Sequence, residues 1–318
     1  LRQRPRSGRS LRSPRASSPA SSRIAAALPL TRKIFLGVSG KTANFASMKR
    51  FFVYLIVLLG AAAAQAARVD TLSVPATYID SPMRVAVVLP DAAAADSSAR
   101  FPVVYILHGH SGDYRTWLNI TCPDLPALAD RYGMVFVLPD GRNSWYWDAP
   151  ADPRMQMESF ITRELVPAMD AALPVRREAS QRAITGLSMG GHGALWLAMR
   201  HPDIFGSAGS MSGGVDIRPF PKSWNMPDRL GAKADYPQRW EEHTVVNLVP
   251  TLKPGMLNIT VDCGTDDFFA GVNRELHRRL LDAGIPHDYT ERPGGHSHAY
   301  WANSIRYHLL FFNEVFRR

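Results

Sequence analysis

The 318-residue sequence predicts an α/β fold: a doubly wound, mostly parallel sheet with helices on both faces. Three observations carry that expectation. Short runs rich in β-branched residues alternate with segments of helical length. Most of the runs are continuous rather than alternating, as strands buried on both faces are. A glycine-flanked serine stands between one such run and a helix-competent stretch.

In chain order, strands are expected at residues 84–89 (RVAVVL), 103–107 (VVYIL), 134–138 (MVFVL), 183–187 (AITGL), 256–263 (MLNITVDC) and 287–292 (HDYTER). Pro, Gly or Asp bound most of them, and these residues end strands through turn formation. Helices are expected at 155–172, 190–199, 269–283 and 299–316. Residues 216–242 hold several Pro, Trp and charged residues without a period, and read as an insertion or lid over the site. No repeat and no linker divides the chain after residue 69, so residues 67–318 are expected to form a single catalytic domain.

The net charge of +9 does not describe that domain. Residues 1–47 hold 10 Lys or Arg and no Asp or Glu, which leaves 27 basic against 28 acidic residues from Met48 onward. A net charge of −1 removes the basic footprint that a nucleic-acid partner needs. The basic stretch, starting at Leu1 and rich in Arg, Ser and Pro, is expected to be disordered or foreign to the mature protein.

Met48 is the first methionine, and a secretory signal follows it. Lys49 and Arg50 form a positive start, 51–64 is an apolar stretch, and Ala64-Gln65-Ala66 is a small-x-small cleavage site. The stretch is shorter than the roughly 20 residues that span a bilayer, so export without a stable membrane anchor is expected, to the periplasm or outside the cell. Cys122 and Cys263 are too few for a disulfide scaffold, and Cys263 reads as a small buried strand residue.

The chemistry centres on Gly186-Leu187-Ser188-Met189-Gly190. A sharp strand-to-helix turn lifts a serine Oγ clear of the backbone, and the helix beginning there aims amide donors at developing negative charge. Such a nucleophile needs a carboxylate and a histidine, which in this layout follow it in that order. Asp266 and Asp267 follow the strand ending at Cys263, and His296 and His298 follow the last strand; chemistry alone does not choose within either pair. Upstream, the loop Leu107-His108-Gly109-His110-Ser111-Gly112 is placed to supply a second backbone amide. The pairs His108/His110 and His296/His298 offer two ligands each, short of a metal set, so no metal is expected.

Five segments together resemble the esterase group of the α/β-hydrolase superfamily: LHGHSGDYRTW (107–117), PDGRNSWYWDAP (139–150), GLSMGGHGAL (186–195), CGTDDFF (263–269) and GGHSHAYW (294–301). That group contains feruloyl and acetylxylan esterases, tributyrin-type esterases, S-formylglutathione hydrolases and mycolyltransferases. The resemblance implies Asp267 as the acid, His296 as the base, and the amides of His110 and Met189 as the oxyanion hole. His298 then stands where the group often has tryptophan.

The implied activity is an exported serine esterase that cleaves short acyl, acetylated-sugar or hydroxycinnamoyl esters through an acyl-enzyme, with no cofactor. The alternatives are a mycolyltransferase-type acyltransferase and an S-formylglutathione hydrolase-like thioesterase, both using the same residues. Trp117, Trp145, Trp147 and Trp301, with Tyr146, fall in the motif loops. They are expected at the pocket rim, where flat apolar faces suit sugar rings or aromatic acyl groups.

Overall fold

Strand and helix segments assemble around one eight-stranded sheet in the computed structural model, which describes residues 67–318. The basic stretch 1–47 and the expected secretory signal at 48–66 lie outside the described residues. The strands are β1 (Arg68–Val74), β2 (Met83–Leu89), β3 (Val103–Leu107), β4 (Val135–Pro139), β5 (Arg182–Leu187), β6 (Ser207–Met211), β7 (Asn258–Gly264) and β8 (Asp288–Arg292). They lie in the order β1-β2-β4-β3-β5-β6-β7-β8. β2 runs antiparallel to β1 and β4, and all the other pairings are parallel.

The continuously apolar strands serve two cores. Val103, Tyr105 and Leu107 of β3 face one, and Val104 and Ile106 face the other. Helix α1 (Leu125–Tyr132) and α4 (His298–Phe316) cover one face of the sheet. The other is covered by α2 (Met189–Arg200), α3 (Ala270–Asp282) and a helical stretch over 157–172 whose middle turn, Ile161–Leu165, is π-helical.

Two strands escape the sequence reading. β1 carries charged and polar residues in RVDTLSV because it is a largely exposed edge strand paired on one side only. β6 is SAGSM, without a β-branched residue, yet it is wholly buried between β5 and β7. Its small residues are demanded by packing: a Cβ on Gly209 would lie 2.4 Å from Nδ1 of His308 in α4. Strand propensity yields there to the close approach of a helix. Both cysteines are buried free thiols.

Candidate active site

The loops after β3, β5, β7 and β8 meet at the carboxyl edge of the parallel strands, where open α/β sheets place their ligand sites. At the end of β5 the chain reverses sharply into α2, and Ser188 at the corner has φ 57° and ψ −117°. That conformation is costly for a residue with a Cβ and is held by its surroundings. The Ser188 amide donates to the Met211 carbonyl at 2.9 Å. A Cβ on Gly190 would stand 2.6 Å from the carbonyl oxygens of Leu107 and His108, so only glycine lets α2 begin against the β3 loop.

The loops carrying the acid and base candidates are joined through their backbones. The Thr265 amide donates to the Arg292 carbonyl at 2.9 Å, and the Asp266 amide to the Gly294 carbonyl at 2.9 Å. This pairing brings Asp267 to His296, with Oδ2 2.9 Å from Nδ1, while Oδ1 accepts the Phe269 amide at 2.8 Å. His296 Nε2 lies 2.9 Å from Ser188 Oγ. With its Nδ1–H donating to the carboxylate, the imidazole presents a bare Nε2 to the serine hydroxyl. The Asp267 carboxylate is fully buried, which keeps water from competing for that bond.

The other member of each pair stays out of this hydrogen-bond chain. Asp266 is exposed and contributes its backbone. His298 sits 2.8 Å through Nδ1 from Thr121 Oγ1, and partial burial together with neighbouring His296 holds it below the usual imidazole range. Among the described residues, the amides of His110 and Met189 donate to no other backbone carbonyl outside helices and strands.

A cavity of about 480 Å³ opens over Ser188 and His296. Its walls include Trp301 but not the three other tryptophans expected at the rim. Trp117 is 1% exposed, and its indole donates to the Leu107 carbonyl at 2.9 Å. Trp145 and Trp147 stack on each other with centroids 5.4 Å apart inside the core, and Tyr146 is fully buried in that same core. These loops turn their aromatic side chains inward, where full burial of a large ring stabilises most.

The aromatic wall comes instead from Trp224 and Phe268, stacked at 5.6 Å and 18°. Trp224 belongs to the segment expected as a lid. Residues 216–242 indeed reach the cavity, and their Met226, Leu230 and Trp240 are fully buried. Phe268 directly follows Asp267 and stays 52% exposed beside the His296 ring; adjacency to the expected acid was the one sequence signal for it. The cavity lining includes Ile120, Leu187, Ser111 and Thr116 but no Asp, Glu, Lys or Arg.

A sheet of this order, with a serine on a strained strand-to-helix corner, defines the α/β-hydrolase fold. Residues 76–312 match the family model described as "Putative esterase", and the chain belongs to that family of carboxylic ester hydrolases. It is 29% identical over 237 residues to an acetyl esterase of Caldicellulosiruptor saccharolyticus, covering 69% of this chain and 85% of the relative. It is also 31% identical over 241 residues to an esterase of Mycobacterium tuberculosis, covering 67% of this chain and about half, 52%, of that longer protein. Among solved structures, a ferulic acid esterase superposes with a TM-score of 0.70 at 26% identity, over 79% of this chain and 99% of that one.

Proposed function

We propose that this chain is an exported serine esterase for neutral carboxylic esters, with Ser188 as nucleophile, His296 as general base and acid, and Asp267 as the group that orients the imidazole. The carrying observation is the continuous hydrogen-bond chain from Asp267 through His296 to Ser188 Oγ, both links at 2.9 Å, at the floor of the cavity. Ser188 Oγ attacks the ester carbonyl as its proton passes to His296 Nε2, and Asp267 stabilises the imidazolium. The amides of His110 and Met189 receive the oxyanion. His296 then protonates the leaving alcohol, and water repeats the sequence on the acyl-enzyme.

The uncharged lining favours a neutral ester over a charged thioester such as a glutathione conjugate, whose ionised groups would find no partner there. Trp224, Phe268 and Trp301 offer apolar faces to a hydroxycinnamoyl group or to the ring of an acetylated sugar. Export is supported by the signal-like pattern at 48–66 and by the setting of Ala67. Its amide nitrogen already lies 3.0 Å from Asp130 Oδ2. Cleavage after Ala66 would place an ammonium group against that carboxylate.

The test is hydrolysis of p-nitrophenyl acetate by wild type and Ser188→Ala, followed by a panel of acetylated-sugar, hydroxycinnamoyl and long-chain esters with and without added alcohol acceptors. Ser188→Ala is expected to lose several orders of magnitude in rate while staying folded. Near-wild-type turnover in that variant overturns the mechanism. Acceptor ester as the main product moves the activity to acyl transfer. A mature amino terminus other than Ala67 overturns the cleavage site.

A further inference from the structure

We infer that His108 and Tyr146 are positioning residues that aim the His110 amide at the oxyanion, a reading that rests on the serine-esterase mechanism above. Neither side chain lines the cavity; they act through two consecutive carbonyl groups.

The Gly109 carbonyl and the His110 N–H belong to one planar trans peptide, in which C=O and N–H point in opposite directions. Whatever holds the carbonyl therefore aims the amide. Gly109 O lies 2.7 Å from His108 Nδ1 and accepts the Gly112 amide at 3.1 Å. The tautomer of His108 follows from its other nitrogen. Nε2 is 2.7 Å from the Gly141 amide, which can only donate, so Nε2 is bare and the ring proton sits on Nδ1, facing Gly109 O. The ring is 1% exposed, which shields both bonds from water.

The preceding carbonyl is held separately. The hydroxyl of fully buried Tyr146 donates to His108 O at 3.0 Å. Tyr146 has φ 63° and its neighbour Trp145 φ 57°, a region that non-glycine residues occupy only when the surroundings over-determine them. A phenylalanine would fill nearly the same volume, so the hydroxyl contributes this hydrogen bond rather than packing. The same His108 carbonyl abuts Gly190 at the start of α2, whose first residue supplies the other oxyanion donor, Met189. The two donors thus share one frame. This arrangement accounts for His108, half of the His108/His110 pair, and for Tyr146, an aromatic of the expected rim that faces inward.

An oxyanion donor acts on the tetrahedral species and hardly on the bound ester, so misaiming it lowers kcat and leaves KM nearly unchanged. The experiment compares wild type, Tyr146→Phe and His108→Gln in hydrolysis of p-nitrophenyl acetate. It adds inhibition by an aryl trifluoromethyl ketone, whose adduct with Ser188 carries an oxyanion, and thermal melting. Loss of a whole donor costs about 10² to 10³ in rate, and a misaimed one is expected to cost about ten-fold. Tyr146→Phe should lower kcat by that factor with KM within about two-fold, and should weaken the ketone in parallel. His108→Gln should show the same split with a larger loss; if it does not fold, Tyr146→Phe decides alone.

Unchanged kcat in a folded Tyr146→Phe overturns the inference. So does a kcat loss with unchanged ketone affinity, which would mark a general structural defect. Ser188-independent hydrolysis by the wild type would overturn the esterase reading itself.

Discussion

The indole Nε1 of Trp145 donates to the main-chain carbonyl of Trp224 at 3.0 Å, so a tryptophan hidden from solvent holds the wall that another tryptophan presents to the cavity. Trp224 has φ 48° and the next residue, Asn225, 58°. The Asn225 side chain is itself held, with Oδ1 2.8 Å from His110 Nε2. The tip of the 216–242 insertion is thereby tied to the buried aromatic core and to the loop after β3.

Trp145→Phe is expected to raise KM for hydroxycinnamoyl esters several-fold and to lower the melting temperature, since it removes the donor and leaves a partial cavity worth about 1 to 3 kcal/mol. Trp224→Ala should raise the same KM at least as much with little change in melting, because its ring is only half-buried. Steady-state kinetics alongside calorimetry separates the two. Equal melting temperatures for both variants would show that Trp145 does not support the wall.

Within the paired candidates, Asp267→Asn and His296→Ala are expected to lose at least about a thousand-fold in kcat/KM. Asp266→Asn should retain most activity, because Asp266 acts through its backbone amide. His298→Ala should keep kcat for p-nitrophenyl acetate within a few-fold while changing the ranking of larger esters, since its ring lines the cavity. The reverse ranking in either pair contradicts the hydrogen-bond geometry.

Ser188→Gly should be inactive and more stable than wild type. The φ of 57° with ψ −117° is an expensive conformation for serine and an accessible one for glycine. Relief of such strain is worth about 1 to 3 kcal/mol, partly offset by the flexibility glycine adds to the unfolded chain. Urea unfolding at neutral pH measures the difference, and a less stable glycine variant would show that the corner is unstrained.

Acid stability should depend on His192. Burial is the main cause that pushes its pKa down, from 6.5 to about 3, against an opposing bond to Gly214 O. Nδ1 donates to that carbonyl at 2.9 Å while Nε2 accepts the Trp147 indole N–H at 2.8 Å, so the folded ring has no place for a second proton. The unfolded chain binds a proton that the folded chain refuses. Its contribution is therefore complete above pH 6.5 and declines as pH falls toward about 3, by at most about 1.4 kcal/mol per pH unit. Unfolding free energy measured from pH 7 to 4 should fall less steeply in His192→Gln than in wild type. Equal slopes would assign the acid sensitivity to other groups.

The elements legible from local pattern were those whose burial is uniform. β3, β5 and β7 are buried almost from end to end because helices cover both their faces, and α2 and α4 appear within one or two residues of their expected ends. β6 was invisible because its composition answers to His308, more than ninety residues away, and β1 because a half-exposed edge strand needs no apolar run.

By itself the sequence determined the class of fold, the serine at the strand-to-helix corner and, through motif resemblance, which aspartate and histidine to pair with it. These are properties of short segments, in which spacing and backbone demands are written locally. Only the tertiary structure decided which way each side chain faces. The motif tryptophans Trp117, Trp145 and Trp147 turned inward, and Trp224, from a stretch with no period, became the cavity wall. A loop's sequence shows that a large ring must be buried against something. The side of the loop on which the core lies is set by neighbouring strands and helices from distant parts of the chain.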